Sequence, residues 1–238
     1  MDNLFKDYFE FMFVYIDDIP IASKNMKDRI KHFEIFSDTC YKKGLVLSEK
    51  ATIAVNKIEF LGILIDETGI ELQEHIVEKI CNFPYILKDK KHLRSFLGVV
   101  NFAGIFIKDL ATYRKNFWPL LKETESAKWK WEEIHTQRVR VLKQVCNNLS
   151  KLAILQDEDE LVVYTDANDY RWAVVLMKMT TTGKDPCRYT GGLFTEQQAQ
   201  VWHINKKEFF VVAFTKWLLF LLAKKFTLKV DIQMLKLS

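Results

Sequence analysis

Cysteine is scarce and scattered in this chain. Cys40, Cys81, Cys146 and Cys187 form no Cys-x-x-Cys pair and no Cys/His cluster. That spacing argues against structural zinc and against a disulfide framework, and predicts a reducing, intracellular setting in cytoplasm or nucleus. Long apolar runs are lacking as well. The longest, residues 209–223, is interrupted by Lys216 and falls short of a bilayer's thickness. Met1 opens onto a charged stretch with no secretory apolar region, so neither a membrane partner nor a targeting segment is expected. A strong excess of one charge is missing too: 35 Lys and Arg against 31 Asp and Glu leave +4, a mild basic balance compatible with nucleic acid. What is present is ample apolar material, 49% of 238 residues, enough for a sizeable core shared by two or three subdomains.

The most informative stretch is FMFVYIDDIPIAS, residues 11–23, where Asp17 and Asp18 stand between two short apolar runs. Phe13, Val14, Tyr15 and Ile16 favour a pleated strand, the acidic pair tolerates turn geometry, and residues 19–22 return, which predicts a β-hairpin with acid at its tip. Carboxylates held there suit a hard divalent cation, which takes oxygen ligands and leaves positions for substrate phosphates. An acidic surface turn fits the same four residues.

Residues 25–43 repeat apolar positions at helical intervals through Ile30, Phe33, Phe36 and Tyr41, and Gly44 supplies a stop. Residues 45–47 and 53–55 read as short strands, and 57–69, with the core KIEFLGILI, as a second hairpin turning at residues 66–69. Gly62 permits close backbone approach to another strand, or serves as a bulge or packing glycine. Helices are expected over 74–83, 90–106 and 132–149, with Pro84 marking a boundary. In the second of these, Leu93, Phe96, Leu97, Val100 and Phe102 form the predicted buried stripe, while Lys88, Lys90, Lys91 and Arg94 face outward. That basic face fits a phosphate backbone or plain solvent. Trp129 and Trp131, alternating with Lys128 and Lys130, fit base stacking or packing. An acidic stretch at 156–160 marks a boundary. Beyond it strands are expected at 161–165, 172–179 and 187–194, the last after a turn at 183–186, then one long helix over 196–223 and a strand at 226–230.

Tyr-Ile-Asp-Asp between two strands resembles the YxDD signature of reverse transcriptases, and MDNLFKDYFEFMFVYIDDIPIAS resembles their retroelement and plant pararetrovirus branch. The resemblance implies a palm hairpin in which Asp17 is a metal ligand, Asp18 its catalytic neighbour, and Tyr15 lies beside the nucleic acid. Pro20 departs from the family's aliphatic residue and gives up a ladder hydrogen bond, which predicts an edge, bulged or damaged strand. Phe60, Leu61 and Gly62 resemble the strand pair that holds the primer terminus near the metals. HLRSFLGVVNFAGIFIKDLA resembles the helix that follows the palm, in which Lys90, Lys91 and Arg94 would bind nucleic acid, and PLLKETESAKWKWEEIHTQRVRVLKQVCNNL resembles the connecting segment. YTDANDYRWAVVLM, INKKEFFVVAFTKWLLFL and FTLKVD resemble the first strand pair, acidic helix and fourth strand of the ribonuclease H domain, so Asp166, Glu208 and Asp231 carry over as metal ligands.

These likenesses imply an α+β protein: a partial palm over 1–70, a helical thumb and connection over 71–155, and a truncated ribonuclease H-like α/β domain over 156–238. The implied cofactor is Mg²⁺ or Mn²⁺, working by two-metal phosphoryl transfer. The implied partners are primer-template nucleic acid or an RNA/DNA hybrid, with RNA told from DNA by its 2′-hydroxyl, and deoxynucleotides only in an intact polymerase. Family members carry a further palm Asp and the fingers upstream of the hairpin, where this chain has residues 1–16, and Asp2 and Asp7 are no replacement. They carry a fourth acidic ligand beyond the position of Asp231, where residues 232–238 remain. Both sites are therefore expected to be incomplete and the chain alone to have little or no activity. The alternative is a noncatalytic nucleic-acid-binding or unselected remnant of an integrated viral element.

Overall fold

A computed structural model describes residues 2–49, 51–121, 129–156, 158–220 and 225–230. Two units divide the chain, 1–60 and 61–238. The first contains helix α1 (Asp2–Phe5), a 3₁₀ turn (Lys6–Tyr8), helix α2 (Met26–Lys43) and strand β1 (Lys57–Phe60). Helix α2 starts where the sequence predicts it: Asn25 caps it by accepting from the amide of Asp28 at 2.9 Å, and Gly44 ends it at φ 67°, a left-handed conformation glycine adopts without strain. Phe36 and Cys40 on its inner face meet Phe5 and Met12 in a small core. The strands expected at 45–47 and 53–55 do not form; Val46 is 94% exposed and Ala54 has φ 57°, so neither segment has a pleated partner.

The second unit begins with the hairpin of β2 (Ile63–Asp66) and β3 (Gly69–Leu72), paired from Ile63↔Leu72 to Asp66↔Gly69. Helices α3 (Glu74–Cys81), α4 (Lys90–Phe102), α5 (Leu110–Arg114), α6 (Trp118–Leu121) and α7 (Glu133–Asn147) follow. Leu93, Phe96, Leu97 and Val100 of α4 are buried with Ile80, Phe117, Val139 and Leu142. Phe102 is a correction: it is 45% exposed, because two positions past Val100 it stands about 200° round the helix, off the buried stripe, and its ring lies against Gly62. Trp129 and Trp131 serve packing, their rings 5.8 Å apart and Trp131 donating to Thr136 Oγ1 at 2.9 Å.

The remainder is a four-stranded sheet of order β6-β5-β4-β7, built from β4 (Leu161–Ala167), β5 (Arg171–Thr180), β6 (Gly183–Leu193) and β7 (Phe226–Val230). Strand β4 pairs antiparallel with β5 and parallel with β7. Two expectations are corrected here. Residues 183–186 are strand, not turn: Thr180 pairs with Gly183, so the reversal falls on Thr181 and Thr182, and a bulge beside Pro186 absorbs the proline in an edge strand. The long helix is two helices, α8 (Glu196–Val201) and α9 (Ile204–Phe220). The break has a packing cause: Trp202 leaves helical geometry, with ψ 125°, and turns its ring onto Phe194 and Phe210. Residues 221–224 of the expected helix lie outside the described residues.

Two polar contacts fasten the segment after α7. Lys151 Nζ lies 2.8 Å from Asp66 Oδ2 and 2.9 Å from Glu71 Oε1, while Leu152 exchanges backbone hydrogen bonds with Ile70 at 2.8 and 2.9 Å. Asp66 Oδ1 also accepts from the amides of Thr68 and Gly69, closing the hairpin turn. Lys151 foremost, then the Thr68 hydroxyl, hold the Asp66 carboxyl well below the usual carboxylate range. A carboxylate depressed in the fold contributes stability that is present above its unfolded pKa, about 4, and is lost as pH falls toward the folded value. Urea midpoints measured from pH 7 down to pH 2 should therefore fall less steeply below about pH 4 in Asp66→Asn, which keeps the Oδ1 acceptor; parallel curves would refute the assignment.

Lys143 of α7 is buried, and its ammonium donates to the carbonyls of Cys81, at 2.8 Å, and Phe83, closing the end of α3. Burial pushes its pKa down. Lys143→Met should lower unfolding free energy by about 1–3 kcal/mol, the usual consequence of leaving buried acceptors unmade, read by denaturant titration at pH 7; an unchanged midpoint would mean that water replaces the ammonium.

Candidate active site

The Tyr-Ile-Asp-Asp segment reverses on two residues. Tyr15 and Asp18 exchange backbone hydrogen bonds at 2.9 Å, so Ile16 and Asp17 form the tip and Asp18 opens the returning limb. Ile16 holds φ 54°, a strained conformation for a branched side chain, which the flanking bonds impose. Phe13 donates its amide to Pro20 O at 3.1 Å, but Pro20 has no N–H to return. The expected continuous strands are thereby reduced to the isolated bridges Met12↔Ile21 and Tyr15↔Asp18. Asp17 and Asp18 are both exposed. The rings of Phe13 and Tyr15 stand edge-on to Phe60 at 6.1 and 6.4 Å, so Tyr15 and Phe60 come together on one side of this hairpin.

Leu61 and Gly62 have φ 49° and 77°, as a tight two-residue turn requires. A Cβ on Gly62 would lie 2.6 Å from the Phe102 ring, so the close approach that glycine permits is to a side chain of α4. On α4, Lys91 and Arg94 are exposed, as is Lys88 ahead of it, whereas Lys90 is half-buried.

In the sheet, alternation along β4 sends Leu161, Val163 and Ala167 into the core with Val211 of α9, and leaves Asp166 exposed on the opposite side. Glu208, in the second turn of α9, is buried and its Oε1 accepts from the amide of Ala167 at 3.2 Å. The fold thus brings Glu208 to the residue next to Asp166. Thr165 pairs with Val230, and these residues immediately precede Asp166 and Asp231 in the chain; Asp231 itself lies outside the described residues. Among the described residues no group of three or more His, Cys, Asp or Glu could hold a metal ion. Lys207, next to Glu208 in the chain, reaches to Ala199 O, at 2.9 Å, and Asp169 Oδ1, at 3.4 Å.

Two groups escape sequence reasoning. Lys207, next to Glu208 in the chain, is 1% exposed. Tyr164, two residues before Asp166, takes a hydrogen bond from Lys184 of β6 and lies opposite Lys229 of β7; the Lys184 bond leads in pulling its phenol below the usual range. Neither contact follows from sequence separation, because both depend on strand order.

Residues 156–238 match the RNase H-like domain found in reverse transcriptase. The enzymatic polyprotein of Figwort mosaic virus (strain DxS) is 36% identical over 226 residues, 93% of this chain and 34% of the relative. That of Cauliflower mosaic virus (strain D/H) is 34% identical over 97% of this chain and 35% of its own length. The chain spans about a third of the length of the curated relatives it matches. Among solved structures, the foamy viral protease-reverse transcriptase dRH in complex with double-stranded DNA matches with TM-score 0.81 over 100% of this chain and 42% of that one, and the foamy viral protease-reverse transcriptase in complex with RNA/DNA hybrid with TM-score 0.78 over 98% and 32%. Both are 23% identical and establish the mixed α/β fold. No described helix is long and apolar enough to cross a membrane. Residues 156–238 thus match an RNase H-like domain, and the chain as a whole is similar to pararetroviral enzymatic polyproteins along nearly its whole length.

Proposed function

We propose that the chain acts on nucleic acid as the palm-hairpin, connection and ribonuclease H portion of a pararetroviral polyprotein, cleaving the RNA strand of an RNA/DNA hybrid at Asp166, Glu208 and Asp231. The observation that carries this reading is the clasp of Glu208 on the amide of Ala167, which brings a buried carboxylate to the residue that follows the exposed Asp166. Oxygen donors of this kind fit a hard divalent cation: Asp166 is open to a hydrated ion, and Glu208 is oriented by its own hydrogen bond. RNase H-like domains generally use divalent metals; magnesium or manganese, when bound, would activate water and stabilise the leaving oxygen of the scissile phosphate. Asp17 and Asp18 take the corresponding role in DNA synthesis, which we assign to the full-length polyprotein with primer-template and deoxynucleotides. We assign nucleic-acid contacts to Tyr15 and Phe60 in the first unit and to Leu61, Gly62, Lys90, Lys91 and Arg94 in the second.

The test is Mg²⁺-dependent loss of the RNA strand from a labelled RNA/DNA duplex incubated with the chain. Slow cleavage is expected, falling by about a hundredfold or more in Asp166→Asn, the scale on which catalytic groups act. Robust cleavage that survives Asp166→Asn would sink the site. Salt-sensitive hybrid binding with no metal-dependent cleavage would instead support a noncatalytic binding role.

A further inference from the structure

Lys207 has no part in the proposed chemistry, yet its side chain is only 2% exposed. Burying an ammonium is strongly unfavourable unless it is paired. Its partners lie on two different elements: Nζ donates to Ala199 O of α8 at 2.9 Å and faces Asp169 Oδ1, in the turn between β4 and β5, at 3.4 Å, with the Phe194 ring 5.9 Å away. Glu208, the next residue of α9, holds the amide of Ala167 at the start of the same turn. Successive helical side chains diverge by about 100°, so one turn of α9 grips the β4–β5 turn at two points. The turn is itself stiff, since Asn168 Oδ1 accepts from the amides of Tyr170 and Arg171, each at 3.0 Å.

We propose that Lys207 is a positioning residue for the carboxylate pair: by tying α8 and the Asp169 turn to the start of α9, it sets Glu208 against the end of β4 beside Asp166. Asp169 shares this role as the exposed half of the pair, at 75% side-chain exposure. Only the metal arm of the following test rests on the hydrolytic reading above.

The test uses the whole chain and two variants, Lys207→Met, which keeps the side-chain length, and Asp169→Asn, which alters an exposed group and leaves the core intact. The first readout is amide hydrogen exchange. The Ala167 amide should exchange about tenfold faster in Lys207→Met, and about threefold faster in Asp169→Asn, relative to amides of the β4–β5 ladder. A merely structural role would accelerate all of these amides together, and that result would overturn the proposal. If Lys207→Met does not fold, the Ala167 amide of Asp169→Asn decides alone, and unchanged exchange there refutes the idea. The second readout is the Mn²⁺ concentration giving half the thermal stabilisation, which should rise by about tenfold in Lys207→Met, as for other residues that orient a ligand. A parent chain with no Mn²⁺-dependent shift counts against the hydrolytic reading alone, and the exchange data still judge Lys207.

Discussion

Strand β4 is the element on which the larger unit depends. It is paired along both edges, antiparallel to β5 and parallel to β7, and its alternation separates core from solvent: Leu161, Val163 and Ala167 face the hydrophobic cluster, while Tyr164 and Asp166 face away. Because the period is two, a slip of one residue would drive Asp166 into the apolar layer and Thr165 out of it. Burial on one face therefore protects the register, and the register aims the acid. The same pairing brings Val230 level with Thr165, which relates the end of β7 to the end of β4.

Around that strand, polar contacts convert a stack of elements into a defined geometry. Arg171, first residue of β5, is ion-paired with Asp109, which stands at φ 58° ahead of α5 and also receives the hydroxyl of Thr112. Ala153 donates its amide to Pro186 O at 2.8 Å, and Lys178 reaches Ile154 O at 3.1 Å, so the segment leading into the sheet is sewn to β5 and β6. At its other end, Lys151 and Leu152 are fastened to the β2–β3 hairpin. The stretch after α7 is thus held from both sides, and the helical and sheet parts of residues 61–238 share one framework. Several of these contacts are single ion pairs of modest individual strength, and their value lies in fixing angles between elements.

Legibility in the sequence followed the range of the interactions. Helix α2 could be read almost to the residue, since its Asn25 cap and Gly44 stop act within one turn of the chain. The buried stripe of α4 was equally plain, except for Phe102, which lies about 200° round the helix from Val100 and so off that stripe. The break at Trp202 was invisible because residues 196–223 carry apolar side chains in nearly every turn and contain no Gly or Pro; an aromatic cluster made by Phe194 and Phe210, not a local breaker, bends the chain there. Pro186 looked like part of a turn, yet it lies in an edge strand where a bulge accommodates the missing donor. Asp166 and Glu208 were recognisable as a pair only through resemblance, for 42 positions separate them and nothing in their spacing announces the Ala167 amide between them.

The parallel pairing of β4 with β7 has a further consequence, for the birth of the protein. Thr165 must wait for Val230, 65 positions later, before its second edge is covered. At the pace of a ribosome that delay is several seconds, long against the microseconds in which the β4–β5 hairpin can close. During translation, therefore, the strand bearing Asp166 sits at the margin of a three-stranded intermediate, offering bare amides and carbonyls to any passing chain.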